Sequence, residues 1–235
     1  MSRAPFRIWS SSCKKVSRSV AEQSTHIGAQ SSGMYYPNRI ARSYFLALEE
    51  VMGQHGLDAT LEIAGLNRFV EKPPTDTLER TVDFAALSAL NLALDEMYGA
   101  RGGRGMALRA GRAWLVKGMN TFGALSGIGD PAFRALAVEE RARLGLRALA
   151  SVFTHFSDQR SHLEETSQAF RFIVNNSPTA WMRETDKPVC HSLVGMLQET
   201  VRWAANGRDY AVREVECRAC GRSNSCIFLV NKHPL

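Results

Sequence analysis

Four of the five cysteines lie in the last third of the chain, at spacings that suit a metal ion. Cys217 and Cys220 form a C-x2-C pair, and Gly221 permits the sharp turn that brings two sulfurs to one ion. Cys226 opens the strand that returns from this turn. Cys190 lies in the predicted first turn of a helix, where the helix dipole favours the thiolate. Because four thiolates suit tetrahedral zinc, these residues predict a structural zinc site.

Two other interpretations of the cysteines stay open at this point. They are compatible with buried structural thiols that lie close in sequence, or with a redox C-x-x-C pair at Cys217 and Cys220. No helix is predicted to begin at Cys217, as such redox pairs require. The N-terminus has no apolar segment of the secretory type, so we expect a reducing, cytoplasmic setting. In that setting, clustered cysteines favour metal binding over disulfides.

The chain has 235 residues, 45% of them hydrophobic, and a formal net charge of +6. Residues 1–33 are rich in serine and carry five basic residues against Glu22, a net +4, which leaves +2 for the rest. We expect a flexible basic tail over residues 1–33 and a single domain over residues 34–235. A nearly neutral domain argues against direct nucleic-acid binding. No apolar run reaches the roughly 18 residues of a membrane span.

Hydrophobic periodicity predicts mainly helices in the first part of this domain. The predicted helices are Arg39 to Gln54, Phe84 to Tyr98 with Asp83 as its cap and Gly99 as its end, Gly105 to Lys117 interrupted by Gly111, and a long helix opened by Pro131. The segment Gly102-Gly103-Arg104-Gly105 lacks the spacing of a phosphate-binding loop and is predicted to be a loop between two helices.

The pattern changes in the C-terminal part, where strands are predicted as well. The predicted elements are a strand at Gln168 to Val174, a helix that starts at Asp186-Lys187-Pro188 and ends at Asn206-Gly207, and strands at Tyr210 to Arg218 and Cys226 to Asn231. The last strand is apolar on both faces and should be interior. The chain therefore predicts an α+β fold, in which an antiparallel sheet packs with several helices and a zinc-stapled hairpin lies at the C-terminus.

Several histidines and tryptophans are candidate site residues. His155 and His162, near acidic side chains, are expected at a solvated helix end. His191 is expected to be a neighbour of the zinc ligands and not a ligand. Trp181 and Trp203 are expected to be core residues, with pocket walls as the alternative. No catalytic residue is assigned.

Several motifs together resemble the 4-vinyl reductase domain family. They are Lys187-Pro188-Val189-Cys190, then Arg213-Glu214-Val215-Glu216-Cys217-Arg218-Ala219 with Gly221 and Cys226, and upstream Glu96-Met97-Tyr98-Gly99, Gly102-Gly103-Arg104-Gly105 and Arg109-Ala110-Gly111-Arg112. The resemblance covers roughly residues 35–232 and is most specific over 187–228. That family includes a protein of bacteriochlorophyll biosynthesis and the sensor domains of aromatic-responsive transcription activators.

The resemblance implies an α+β fold, a homodimer and an internal apolar pocket. It also implies that the zinc ligands are Cys190, Glu214, Cys217 and Cys226. The chain departs from the family pattern because the interval from Cys217 to Cys226 is one residue longer and contains Cys220. In a regular strand Glu214 and Cys217 point to opposite faces, so Glu214 could ligate only where the strand ends or bulges. Sterics favour Cys220 as the fourth ligand and the resemblance favours Glu214, so both stay open.

Three functions follow from the residues and the resemblance together. We predict a zinc-containing binding protein that holds a hydrophobic molecule, such as a tetrapyrrole or chlorophyllide precursor, an aromatic compound or a lipid, in an internal pocket. The first alternative is a 4-vinyl reductase, or its accessory subunit, although no nicotinamide or flavin fingerprint is present. The second is a ligand sensor or adaptor for a transcription regulator.

Overall fold

The computed structural model describes residues 30–122, 131–221 and 223–235, and these form an α+β fold. The helices are α1 (Asn38–Ile63), α2 (Phe84–Phe122), α3 (Pro131–Ala135), α4 (Val138–Phe156) and α5 (His191–Ala204). The strands are β1 (Tyr35–Pro37), β2 (Arg80–Asp83), β3 (Arg160–Glu165), β4 (Ala169–Asn175), β5 (Tyr210–Glu216) and β6 (Ser225–Pro234). No helix of the described residues is long and apolar enough to cross a membrane. The predicted tail lies outside the described residues except for 30–33.

Two glycines redirect the long helices α1 and α2. Gly53 has φ 75° and Gly99 has φ 68°, backbone angles that residues other than glycine rarely adopt. Each helix therefore changes direction at its glycine and then resumes. The predicted end of the second helix at Gly99 is thus a change of direction. The first predicted helix ends too early, because the chain stays helical beyond Gly53 to Ile63.

Asp83 caps α2 as predicted, since its Oδ1 accepts a hydrogen bond from the backbone nitrogen of Ala85 at 2.7 Å. The prediction of a loop at Gly102-Gly103-Arg104-Gly105 is wrong, because these residues are helical. Gly103 is needed there for a different reason: a Cβ atom at this position would lie 2.7 Å from the carbonyl oxygen of Leu94. The glycines therefore let the two arms of α2 lie against each other.

The middle of the chain differs from the prediction in three details. Pro131 opens only the short helix α3, and the long helix α4 starts separately at Val138. His162 was predicted to lie at a solvated helix end, but it lies on strand β3. Helix α5 starts at His191, so Cys190 is its N-cap residue and lies just before the first turn.

The main sheet is antiparallel with strand order β3-β4-β6-β5. Strand β6 is therefore interior, as its apolar pattern predicted, and Phe228 on it is fully buried. Strands β1 and β2 form a separate two-stranded sheet that leads into α1 and α2. The α+β prediction and the C-terminal hairpin of β5 and β6 are confirmed.

The buried side chains form two clusters that meet along α4 and α5. One lies among α1 and α2, and the other lies between the sheet and the faces of α4 and α5. Leu149 packs against both clusters. Helices α2 and α5 cross in backbone contact, with Gly111 against Ser192 and Gly195 against Leu108. This crossing fixes the position of α5 and therefore of Cys190 at its start.

Candidate functional site

Three elements bring a glutamate and three cysteines together at one end of α5. Cys190 precedes the helix, Glu214 lies on β5, Cys217 follows the end of β5, and Cys226 lies on β6. All three cysteines are buried. One ligand atom from each of the four residues lies within 4.8 Å of the others. Up to 36 residues separate them along the chain, and the packing of α5 on the hairpin brings them together.

The distances within this cluster match those of a tetrahedral metal site. The Sγ atom of Cys226 lies 3.5 Å from that of Cys190 and 4.0 Å from that of Cys217. In a tetrahedral zinc site with Zn–S bonds of about 2.3 Å, the sulfurs lie about 3.8 Å apart. The residues present therefore fit a zinc ion without a rearrangement of the backbone.

An irregularity in β5 allows Glu214 to join the cysteines. Glu214 pairs with Phe228, but Glu216 pairs with Ile227, so one extra residue of β5 is inserted between them. The strand then ends at Glu216, before Cys217. The bulge removes the objection that a regular strand would direct Glu214 and Cys217 to opposite faces.

The carboxylate of Glu214 has one oxygen in use and one free for a further partner. Oε2 accepts a hydrogen bond from the backbone nitrogen of Cys190 at 2.9 Å. Oε1 is buried and has no hydrogen-bond partner among the described residues. Such orphaned acceptors are rare and costly. A cation between Glu214 and the three sulfurs would supply the missing partner.

Without a cation, the four acidic groups of this cluster cannot all be ionised. Burial raises the pKa of the Cys190 thiol and of the Glu214 carboxyl well above their usual values. Hydrogen bonds from the Cys190 and Cys226 thiols lower the pKa of Cys217 to about 2. Of the four groups, the Cys217 thiol therefore loses its proton most readily. A divalent ion would favour the ionised form of each ligand.

Two further candidates lie outside the cluster. Cys220 is buried in the short helical turn after Cys217, and it is not one of the four grouped ligands among the described residues. His191 follows Cys190 and is also not one of the four grouped ligands among the described residues. Burial and the nearby Arg104 lower its pKa to about 4, so its imidazole is neutral at pH 7. Of the two sets left open by the sequence, the geometry assembles the one that contains Glu214.

A second feature is an apolar cavity between α1, α2, α4 and α5, with about 70 Å³ of interior volume and a mouth that opens to solvent. Its walls include Trp114 and Met119 from α2, Leu149 and Phe153 from α4, and Met196 from α5. Among the described residues, no lining side chain is titratable. The apolar character of this lining suits a small hydrophobic molecule.

The polar groups in the cavity wall are already engaged as donors. The Trp114 indole nitrogen donates to Ser43 Oγ at 2.9 Å, and the Ser43 hydroxyl donates to the carbonyl of Ile40 at 2.8 Å. The Thr200 hydroxyl donates to the carbonyl of Met196 at 2.9 Å. The wall therefore offers hydroxyl acceptors at Ser43 and Thr200.

Trp114 is the main cavity residue that sequence reasoning missed. Its ring lies 4.6 Å from Tyr44 and 5.9 Å from Phe153, measured between centroids. The signal available was the apolar face of the predicted helix around it, but Gly111 was interpreted as an interruption. Leu149 and Phe153, four residues apart on α4, also line the cavity.

Of the remaining predicted residues, Trp203 lies at the cavity and the others lie apart from both features. His155 is exposed in the last turn of α4, and His162 is exposed on β3, so the two do not form a site. Trp203 lines the cavity and stacks on Phe133 at 5.1 Å. Trp181 lies elsewhere, with its ring 5.3 Å from the guanidinium of Arg218.

Neither a protein-family model nor a curated protein sequence matches this chain. Solved structures do match. An oxygen-binding H-NOX domain related to soluble guanylate cyclases aligns with TM-score 0.51 and 15% identity, over 82% of this chain and 93% of that domain. A second H-NOX structure, from work on haem distortion, aligns with TM-score 0.51 and 16% identity, over 83% and 95%. The phenol-responsive sensory domain of the transcription activator PoxR, in complex with phenol, aligns with TM-score 0.46 and 20% identity, over 65% and 77%.

The likeness to H-NOX domains shows that the chain shares their fold. The resemblance to the 4-vinyl reductase domain family is not matched by a family model and stays a prediction. At these identities the likeness concerns the fold alone, and the ligand has to be argued from the residues of this chain.

Proposed function

We propose that this protein is a small-molecule-binding sensory domain, in which a structural zinc ion holds the C-terminal hairpin against the start of α5. The observation that carries the proposal is the apolar cavity among α1, α2, α4 and α5. The fold of H-NOX domains supports a sensory role. Zinc would bind Cys190, Glu214, Cys217 and Cys226, and because protein ligands fill all four positions it would be structural.

The cavity wall favours an aromatic or aliphatic molecule that carries one hydroxyl group. The Ser43 and Thr200 hydroxyls can accept a hydrogen bond from such a group, and the remaining walls are apolar. A metal-bearing tetrapyrrole is less well matched, because no His, Cys or Tyr of the described residues lines the cavity to act as an axial ligand. We therefore favour the aromatic or lipid ligand over the tetrapyrrole among the predicted classes.

Binding, and not catalysis, is the better interpretation of this cavity. Reduction of a vinyl group needs a hydride donor and a proton donor. Among the described residues, the cavity wall has no titratable side chain to give the proton. We propose further that the protein acts as a homodimer, as the resemblance implies, that it works in the cytoplasm, and that it signals to a partner regulator.

The test is a substitution that fills the cavity. Ala148→Phe should weaken binding of a small aromatic alcohol by about tenfold or more, a cost of roughly 1.4 kcal/mol per decade, because the new ring occupies the ligand's space. Leu144→Phe adds a ring on the exposed side of the same helix and should leave binding unchanged. Isothermal titration calorimetry measures both.

Native mass spectrometry of the freshly purified protein complements this titration, since it reports metal, bound ligand and oligomeric state together. Equal affinity in Ala148→Phe and the wild type would remove the cavity from consideration. So would the absence of binding across a panel of aromatic alcohols, fatty acids and tetrapyrroles.

Zinc uptake should release protons, and the affinity for zinc should therefore fall as the pH falls. The thiol of Cys190 and the carboxyl of Glu214 have raised pKa values and hold protons that the metal must displace. Titrations of zinc into metal-free protein, in two buffers with different ionisation enthalpies, measure the number of protons released. An affinity that does not change between pH 6 and 8, roughly one unit on each side of neutrality, would contradict these ligands.

A further inference from the structure

The second arm of α2 carries four arginines that no described carboxylate neutralises. They are Arg101, Arg104, Arg109 and Arg112, and none of them forms an ion pair within the described part of the chain. Arg112 donates from Nε and Nη2 to the amide oxygen of Gln198 at 3.2 and 2.9 Å. Arg109 donates to the sulfur of Met106 at 2.6 Å. These partners hold the side chains in place but leave their positive charge uncompensated.

Three of these arginines face a single open groove on the surface. Arg101, Arg109 and Arg112 line it along α2, and Gln198 of α5 forms the opposite wall. The groove contains about 1030 Å³ of space, including the part open to solvent. It shares no lining residue with the apolar cavity. It is therefore a separate feature of the molecule.

The groove also has an apolar component. Met106 is almost fully buried beneath it, and Tyr98 lies at one end. Gly102 and Gly105 present no side chain on this stretch of α2, which keeps the helix face open. A ligand can thus contact both the guanidinium groups and a flat apolar surface.

Like charges spaced three or four residues apart destabilise a helix. Arg109 and Arg112 have this spacing and lie side by side in the groove. An anion bound between them would remove the repulsion. The guanidinium fork matches the oxygens of a phosphoryl group and can bond it with two parallel hydrogen bonds.

We propose that this groove binds a small organic phosphate, with its phosphoryl group between Arg109 and Arg112 and its apolar part over Met106 and Tyr98. A groove with a rigid amide at Gln198 suits a small molecule better than an extended acidic peptide. Nucleic acid is disfavoured, because the groove offers three arginines and the domain beyond residue 33 carries a net charge of only +2. The protein would then have two ligand sites.

The experiment measures binding of pyrophosphate and of ADP to the full chain by isothermal titration calorimetry. Both should bind, and ADP should bind more tightly because its base can lie on Tyr98. The double variant Arg109→Gln, Arg112→Gln should lose about tenfold or more in affinity for both probes. Arg147→Gln removes an exposed arginine from α4, outside the groove, and should bind as the wild type does.

The unfolding temperature and the affinity for an aromatic alcohol are two further measurements that test the proposal. The double variant should unfold at the same temperature as the wild type or higher, since a repulsion is removed, and it should keep its affinity for an aromatic alcohol in the apolar cavity. Failure of both probes to bind the wild type, or equal binding to the double variant, would overturn the proposal. Binding of polyglutamate but not of either phosphate would also overturn it, in favour of an acidic protein partner.

Discussion

Cys217→Ser should abolish the binding of about one zinc ion per chain and lower the free energy of unfolding by several kcal/mol, roughly the scale on which metal binding and folding are linked. The reason is geometric as well as chemical. Cys217 lies 4.0 Å, sulfur to sulfur, from Cys226, and beside Cys190 and Glu214 in the only such cluster found within the described residues. Without one thiolate, the ion would no longer hold the β5–β6 hairpin against the start of α5.

Cys220→Ser, three residues further along the same turn, is the control for zinc content; because Cys220 is disulfide-bonded, the stability of this variant is not compared. Cys220 is buried, but it is not part of the cluster, so this variant should keep its zinc. Glu214→Gln should weaken zinc binding, because a neutral amide replaces the carboxylate whose Oε1 has no hydrogen-bond partner among the described residues. Elemental analysis and urea unfolding measure both effects. Zinc loss in Cys220→Ser that equals the loss in Cys217→Ser would assign the fourth ligand to Cys220.

Gly111→Ala should destabilise the protein severely, by about 4 kcal/mol or more, which is exceptional for a single methyl group. A Cβ atom at Gly111 would collide with the carbonyl oxygen of Ser192 and lie 2.7 Å from its carbonyl carbon. Both atoms belong to helix backbones, so no side-chain rotation can relieve the clash. Gly195 faces Leu108 in the same way across the crossing of α2 and α5.

The effect should be large because the crossing joins the two hydrophobic clusters. Separation of α5 from α2 would loosen the wall of the apolar cavity that Met196 shares with Trp114, and it would move Cys190 at the start of α5. Gly105→Ala is the control on the same helix, since nothing lies within 4 Å of its added Cβ atom. That change should be neutral or stabilise the protein by roughly 0.5–1 kcal/mol. Urea unfolding that places Gly111→Ala within about 1 kcal/mol of the wild type would contradict the close crossing.

Local signals in the sequence were sufficient for several elements. Asp83 was predicted to cap α2 because a short acidic side chain can accept a hydrogen bond from the first free backbone nitrogens, and it does. The all-apolar run of β6 predicted an interior strand, since only a strand covered on both faces needs two apolar faces. Asn206 and Gly207 both have positive φ and end α5, as predicted.

Other features could not be predicted from local pattern, because they depend on what lies opposite each residue. Gly111 does not contribute to a hydrophobic pattern. A side chain is excluded at this position only because the backbone of another helix lies against it. The segment around Gly103 has loop-like composition, yet it stays helical since its glycines allow the arms of α2 to approach. Strand β3 is too polar on its exposed positions to resemble a strand, and pairing with β4 determines its conformation.

The candidate metal site was likewise predictable in part from the sequence and in part only from the tertiary structure. The residue types and spacing of Cys190, Cys217 and Cys226 predicted that thiols from a helix start and a hairpin would come together, since thiol chemistry is a property of the side chain itself. Whether Glu214 or Cys220 completes the set depended on the bulge in β5, which reverses the face of one side chain. The apolar cavity was likewise decided by tertiary structure alone, because it is the space that four helices leave between them, and no single segment encodes that space.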